Sequence, residues 1–542
     1  MTRTLFNFGN ILDDNGRHLG ADNPALIHGD RVISWPEMTA RSNNVARGLH
    51  AHGAETGDKV GFYMRNQPEY MEGLAACFKA RLTPVNVNYR YLDDELVYII
   101  DNSDSVAVLY DVEFRENVER VRARLPKVKA WVEVGGGRDV PDGAVAYDAL
   151  ASEGDGTPLE IERSPDDMMF LYTGGTTGMP KGVMWSHGIW RESSLDSIRR
   201  IYGGAPETWE EHRAFVNEVG QHGRQMPACP LMHGTGLFTA LGAMLNGGAI
   251  VTLESKVKFD PEDLWATVER RGVTAMAIVG DAFAKPMLRV LEDNPGTYDL
   301  SSVQSITSSG VMWSMEVKRG LIAQIPQVAL MDSFGASEAV GFGMSVTTAD
   351  GVSETAKFQI GAHCKVFAED GREIEPGSDE PGFIARGGAV PLGYYKDEAK
   401  SAETFKTING VRYAVPGDWC TVAVDGTLTL LGRGSICINS GGEKIYPEEV
   451  EEVLKEHDSV RDALVVGVPD EQWGQAVTGI VELADGAALE EDTLKAFVRT
   501  KLAAYKAPKR VVAMPDLKRA PNGKADYKGV KAYALEALGI EA

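Results

Sequence analysis

The sequence predicts an α/β protein. Residues 1–433 form a large N-terminal domain of parallel-rich βαβ sheets, with a small β-rich subdomain at about 350–433, and 434–542 form a small α+β domain. Three observations predict it. Between about residues 55 and 300, apolar β-rich runs alternate with helical patterns, as βαβ units around a mainly parallel sheet require. From about 380, short strands with turn signals replace that alternation. A glycine-rich junction, Arg433–Ile436, which turns easily, then precedes a compact helix–strand–strand–helix pattern.

The elements follow in order. "KVGFYM" (59–64) predicts a strand, "PEYMEGLAACFKARL" (68–82) an amphipathic helix, and "LTPVNVN" (82–88) a strand. "DELVYIIDNSD" (94–104) reads as helix and "VAVLYD" (106–111) as strand. A second round comprises strand 249–254, helix 260–273 and strand 274–280. Further on, "GFIARGG" and "VRYAVPGDWCTVAVDGTLTLLGR" supply short strands, and "DGTLTLLGR" has the look of a hairpin arm. Beyond the junction come helix "YPEEVEEVLKEH", strands "VRDALVVGVPD" and "AVTGIVEL", and helix "LEEDTLKAFVRTKL". Pro447 suits a first helical turn, and Glu448, Glu449, Glu451 and Glu452 read as a solvated acidic face.

A chain of 542 residues exceeds one hydrophobic core, so about two to four structural units are expected. The net charge of −23, from 55 basic and 78 acidic residues, argues against nucleic acid and anionic membrane as partners. Cys77, Cys229, Cys364, Cys420 and Cys437 are scattered, so reduced, buried thiols are expected rather than a disulfide framework or zinc site. The first residues lack a signal-peptide pattern. No apolar run reaches the ~20 residues of a membrane span. A cytoplasmic location is expected, with weak membrane periphery only if the substrate is a lipid.

One stretch carries chemistry: "LYTGGTTGMPKGVMWSH", Leu171 to His187. Glycines allow close backbone approach, and threonine hydroxyls and a lysine donate to anionic oxygens. A Walker A loop places its lysine directly before a magnesium-binding hydroxyl. Here Lys181 lies between Pro180 and Gly182, and Met179 before proline is pushed out of the α region. The stretch predicts a phosphate loop of another kind.

"YTGGTTGMPKG" resembles the signature of the adenylate-forming enzymes: acyl-CoA synthetases, peptide-synthetase adenylation domains and firefly-type luciferases. Four further stretches fall in that family's order, so the resemblance covers nearly the whole chain. It implies that Thr173, Gly174, Gly175, Thr176, Thr177, Gly178 and Lys181 cradle phosphate. "DSFGASEA" resembles the family's aromatic-Gly-x-Thr-Glu segment, with phenylalanine for tyrosine and serine for threonine. The match implies nucleotide contacts from Asp332, Ser333, Phe334 (stacked on adenine), Gly335 and Ser337 (on the α-phosphate), and Mg²⁺ held by Glu338 with Thr176. "PGDW" implies Asp418 on the ribose hydroxyls. "GRGSICINSGGEK" implies Arg433 near the ribose and Gly441 and Gly442 beside the thiol arm, although Ser435 departs from the usual hinge residue. "KRAPNGKADY" implies Lys524 as the lysine that reaches carboxylate and α-phosphate. The resemblance also implies that 434–542 is a mobile lid. "PLMHGTGLF" (230–238) resembles an acyl-pocket segment, with His233 as a gate or carboxylate neighbour. Ser308, Ser309 and Gly310 of "TSSGVMWS" resemble an adenine-site wall, while Trp313 reads as core.

The resemblance implies an acid–thiol ligase using ATP, Mg²⁺ and coenzyme A. The chain ends at Ala542, 18 residues after Lys524, with no carrier domain in that stretch, so coenzyme A is the favoured acceptor. The alternatives are an acyl-AMP ligase passing to a carrier protein, a luciferase-like oxygenase, and an aryl-acid CoA ligase. "TSSGVMWS", "GDAFAKP" and "SGGEKIYPEEVE" resemble a bacterial subgroup acting on fatty acids and sterol-derived acids. Gly234, Gly236 and Gly242 are expected to leave room for a bulky hydrophobic acyl group. The partners expected are a carboxylic acid, ATP and CoA, with a homodimer also compatible.

Overall fold

The structure is a computed structural model. It describes residues 3–91, 93–173, 179–311, 313–351, 357–378, 380–433, 438–440, 443–445, 447–470, 474–502, 504–519 and 525–540. The chain packs as two compact units. The first is Met1–Thr355, Gly361–His363 and Gly387–Ala414; the second is Ala356–Ile360, Cys364–Arg386 and Val415–Ala542. The junction expected at Arg433–Ile436 continues into residues 434–437, outside the described residues.

The first unit holds two mainly parallel sheets, as the βαβ alternation predicts. One runs Ala144–Ala146, Ala130–Val134, Ser105–Asp111, Lys59–Tyr63, Thr83–Asn86, Met168–Thr173, Lys181–Ser186. Only its last pairing is antiparallel. The other passes through Ala339–Thr347, Ala329–Ala336, Ser305–Ser309, Ala275–Ile278, Arg224–Pro227, Ala249–Thr252, Pro24–His28 and Arg31–Ser34. It is parallel except at its two outer pairings.

The helix expected over 68–82 is shorter, Pro68–Lys79, and it is not amphipathic in effect: all twelve residues are buried. Its polar members are matched by partners from elsewhere. Glu72 pairs with Arg41 at 2.7 Å, Lys79 with Asp13 at 3.2 Å, and Glu69 with Arg31. A buried charge is tolerable only when so paired. Trp313 joins the core around Trp265 and Met287, as expected. Cys77, Cys229, Cys364 and Cys420 are buried, and Cys437 lies outside the described residues.

The second unit contains an antiparallel set, Cys364–Phe367, Gly382–Arg386, Asp418–Val422, Thr427–Arg433 and Lys357–Ile360. The hairpin read in "DGTLTLLGR" is there. A smaller sheet joins Val460–Asp470 to Gly474–Leu483, which also pairs with Ile438–Ser440 and Arg510–Ala513. Ala463 and Val465 enter one core with Val450, Leu454, Leu494 and Val498. Leu464, Val466 and Val468 enter another with Val530 and Ala534. Both faces are covered, which is why the strand reads as an unbroken apolar run.

The acidic face expected on helix Pro447–Lys455 needs correction. Glu451 is 4% exposed. Its Oε1 accepts the Val465 amide at 2.9 Å and its Oε2 the Tyr527 hydroxyl at 3.2 Å. Glu449 pairs with Lys506 at 2.6 Å, and Glu452 with Lys455. Sequence spacing alone does not reveal partners as distant as Val465, Lys506 and Tyr527.

Burial pushes the Glu451 carboxyl up to about 7, against the pull of Lys455, the Val465 amide, Arg519 and Tyr527. The folded state therefore binds this proton more tightly than the unfolded chain. The stability it contributes is complete below the ordinary carboxyl range and is lost as pH rises through about 7. Melting curves between pH 5 and 8 are expected to fall more steeply for the native protein than for Glu451→Gln. Parallel curves would contradict this.

Candidate active site

The phosphate-loop stretch is a hairpin. Met168–Thr173 and Lys181–Ser186 pair antiparallel, with Thr173 opposite Lys181. A Walker A loop leads from a strand into a helix; here a strand returns, so the P-loop is excluded by architecture as well as by lysine position. Gly174, Gly175, Thr176, Thr177 and Gly178 lie outside the described residues.

Asn86, at the end of its strand, fixes the base of this hairpin. Its Oδ1 accepts the Tyr172 amide at 2.6 Å, and its Nδ2 donates to the Tyr172 carbonyl at 3.0 Å and the Met232 carbonyl at 2.6 Å. His233, the next residue, is extended and precedes helix Gly234–Leu245. A Cβ on Gly236 would lie 2.6 Å from the Pro230 carbonyl oxygen. Gly236 therefore answers a close backbone approach and not an acyl group's need for room. A Cβ on Gly242 would meet only Trp190, at 4.0 Å, and one on Gly234 would touch Leu171 at 3.4 Å.

A strip that the motif reading missed lies along the second hairpin strand. Met184 donates to the Gly393 carbonyl at 2.9 Å, Leu392 to Met184 at 2.9 Å, and Tyr395 to Gly182 at 2.8 Å. This places Asp397 against Lys181, an ion pair. The Lys181 hydrogen bond holds the Asp397 carboxyl below its ordinary range. It also places the Tyr394 hydroxyl to donate to Glu338 Oε1 at 2.7 Å.

Glu338 is buried and occupies, with Ser337, the turn between strands Ala329–Ala336 and Ala339–Thr347. The Trp185 indole donates to the Ser337 carbonyl at 3.0 Å. One strand, Lys181–Ser186, thus supports both the loop lysine and the acidic turn. Ser309 lies opposite Ser333 in parallel register, and Ser308 opposite Asp332. Gly310 follows with φ +89, and a Cβ there would meet only Val279, at 4.0 Å. Carboxyl ends of parallel strands are where open α/β sheets bind ligands.

Asp332 is buried and paired with Lys318, although burial still raises its carboxyl. Phe334 is buried, its ring 5.2 Å from Phe342 and tilted by 41°. Gly335 sits at the strand irregularity between Phe334 and Ala336.

The first unit therefore brings together Thr173, Lys181, Ser309, Gly310, Asp332, Ser333, Phe334, Gly335, Ser337 and Glu338. In the second unit Asp418, buried, is the cross-strand partner of Arg433. Gly441, Gly442 and Lys524 lie outside the described residues. Asn86, Tyr394, Asp397 and Trp185 were not anticipated. Asn86, Tyr394 and Asp397 belong to no glycine- or hydroxyl-rich motif, Trp185 lies at the far end of one, and each acts across a long sequence gap.

An antiparallel strand pair carrying Lys181 thus stands with an acidic turn at parallel strand ends, an arrangement that is not a P-loop. The chain belongs to the AMP-binding enzyme family, which it matches over residues 12–395, and it matches the AMP-binding enzyme C-terminal domain over 449–524. It is 40% identical over 530 residues to a 3-oxocholest-4-en-26-oate–CoA ligase of Rhodococcus rhodochrous, covering 94% of this chain and 92% of that protein. It is 40% identical over 526 residues to a medium/long-chain-fatty-acid–CoA/3-oxocholest-4-en-26-oate–CoA ligase of Mycobacterium marinum, covering 94% and 93%. In fold it is similar to an anthranilate CoA ligase solved with anthranoyl-AMP, at TM-score 0.83, 20% identity and 98% coverage of both chains. ATP-bound MatB of Rhodopseudomonas palustris gives a TM-score of 0.81 at 23% identity, covering 98% of this chain and 99% of that one. Among the described residues no helix is long and apolar enough to cross a membrane.

Proposed function

We propose that this enzyme is an AMP-forming acyl-CoA synthetase for medium- to long-chain or bulky, sterol-type carboxylic acids. The observation that carries the reading is the strip Gly393–Asp397, which holds the phosphate-loop lysine and the Glu338 turn on one support. The chain's similarity to ligases named for such acids favours the same substrate class.

A carboxylate has a poor leaving group. Attack on the α-phosphate of ATP gives an acyl adenylate and expels pyrophosphate; a thiol then attacks the carbonyl and AMP leaves. Lys181, Thr173 and the threonines of the loop offset phosphate charge. Ser337 donates to the α-phosphate, Phe334 with the Ser309–Gly310 wall receives adenine, and Asp418 with Arg433 takes the ribose. Lys524 bridges carboxylate and α-phosphate and orients them. Gly441 and Gly442 flank the thiol path, and residues 434–542 move between the half-reactions as a lid.

The Glu338 carboxylate, held at Oε1 by the Tyr394 hydroxyl, is a hard oxygen donor that fits magnesium, and with Thr176 it would hold the cation. When bound, Mg²⁺ would neutralise charge on the phosphates. His233 serves as a gate or as a neighbour of the acid's carboxylate. A cytoplasmic location, weak membrane periphery with lipid substrates, and a homodimer belong to this reading.

Pyrophosphate release across a panel of fatty, sterol-derived and aryl acids, with and without coenzyme A, tests it. Thioester from fatty or sterol acids is the expected result. Preference for aryl acids would favour the runner-up, which similarity to a feruloyl-CoA synthase of Amycolatopsis, 29% identical, keeps in view. Release without thioester would favour an acyl-AMP ligase, and light or oxygen uptake a luciferase-like oxygenase.

A further inference from the structure

Helix Gly234–Leu245 has two faces. Gly236, Leu237, Ala240, Leu241, Met244 and Leu245 are buried. Thr235, Phe238, Thr239, Gly242 and Asn246, which recur at helical spacing, are only half-buried. The Thr239 hydroxyl is returned to the Thr235 carbonyl at 2.7 Å. Past it the face carries no polar side chain until Asn246. Two buried tryptophans stand against this face: the rings of Trp185 and Trp190 lie 6.1 and 5.7 Å from that of Phe238. Beside Trp190, Gly242 leaves open space, since a Cβ there would reach no atom of another element closer than 4.0 Å. Trp185 also donates to the Ser337 carbonyl. The face therefore starts beside the Glu338 turn, and it rises about 18 Å from Gly234 to Asn246.

The far end is polar and is set by a buried cation. Arg191, on helix His187–Tyr202, is fully buried. Its Nη1 donates to Asn246 Oδ1 at 3.3 Å, while Nε and Nη2 meet no partner. Burial alone pulls the guanidinium down to about 10, with no carboxylate to oppose it. A buried cation without a counter-charge is costly, and the carboxyl end of the neighbouring helix offsets that cost only in part. A guanidinium can only donate. It therefore fixes the Asn246 amide with its oxygen toward the cation and its NH2 away from it. Among the described residues no acceptor meets that NH2.

We propose that this face is the acyl wall of the site and that Asn246, oriented by Arg191, determines specificity at its far end: the amide NH2 donates to an uncharged oxygen, best a ketone, carried by the acid at the end remote from its carboxylate. This rests on the ligase reading above and on His233, just before Gly234, as neighbour of the carboxylate. An apolar wall that ends in one oriented donor matches an acid that is hydrophobic along its length and bears a single acceptor at its tip. A ketone accepts and has no proton of its own, so it complements an NH2. An acid without that acceptor leaves the amide unpaired, which costs free energy. Arg191 is a positioning residue, because it reaches the substrate only through Asn246.

The test compares three acids by kcat/KM for thioester formation: a sterol side-chain acid with a ring ketone opposite the carboxylate, its counterpart lacking the ketone, and dodecanoate. The native enzyme is expected to prefer the ketone acid over its counterpart on the order of tenfold. Asn246→Leu and Arg191→Met are each expected to remove that preference, and Arg191→Lys to keep part of it, because an ammonium still donates to Oδ1. A plain helix cap would instead lower melting temperature and all three acids in parallel, with the ratio unmoved, and that result would overturn the proposal. So would a native enzyme that makes thioester from dodecanoate yet ignores the ketone, or a preference that survives Asn246→Leu in a folded variant. Gly242→Phe, midway along the wall, is expected to shift preference from sterol acids toward shorter chains; an unshifted preference would place the acyl group elsewhere. If the native enzyme formed no thioester from any acid, the ligase reading itself would fall, and this proposal with it.

Discussion

Lys524→Ala is expected to slow adenylation on the order of 10²–10³-fold while leaving thiolysis of a supplied acyl adenylate largely intact. The ammonium proposed to bridge carboxylate and α-phosphate does two things at once. It offsets charge where two anions must approach, and it holds the attacking oxygen in line. Neither service is needed once the adenylate exists and the thiol attacks a neutral carbonyl. Lys524→Arg is not expected to rescue, because a planar fork does not replace a compact point charge. Pyrophosphate release and thioester formation, assayed separately, check this; equal loss in both would contradict the assignment.

Glu338→Gln is expected to lower adenylation on the order of 10²-fold and to remove the Mg²⁺ dependence of ATP binding. The substitution keeps the acceptor for the Tyr394 hydroxyl, which lies 2.7 Å from Oε1, so the turn keeps its support. What is lost is charge. ATP affinity measured by calorimetry with and without Mg²⁺ reads this apart from turnover. A variant whose ATP affinity still rises with Mg²⁺ would show that the cation is held elsewhere. Tyr394→Phe, in contrast, should cost only the one hydrogen bond and leave the dependence in place.

The two sheets of the first unit were legible because parallel strands covered on both faces write themselves as apolar runs between helical patterns. The motif at Leu171–His187 was legible from local composition alone. Its return as a strand was not: Lys181–Ser186 is a strand because it pairs with Met168–Thr173 and is flanked by Leu392–Tyr395. Asp397 meets a lysine 216 residues away in the chain, and no short-range pattern announces such a pair. Asn86 lies in a short buried strand, where its amide looks like an interruption until its three backbone partners are seen. Glu451 was misread for the opposite reason. A run of four glutamates suggests a wet face, and only the strand and helix that close over it reveal that one of them is dry.

The Asn86 clasp also has a practical corollary for anyone retargeting the enzyme to other acids. A single amide sets both the base of the hairpin and the carbonyl of Met232, which lies within the segment 230–238 proposed to face the acyl group. A transplanted acyl-side segment whose seam falls before Met232 would carry the nucleotide clamp out of alignment with it. A seam placed after Gly236, whose tight approach to Pro230 ends the shared frame, would let the wall be redrawn with the ATP machinery undisturbed.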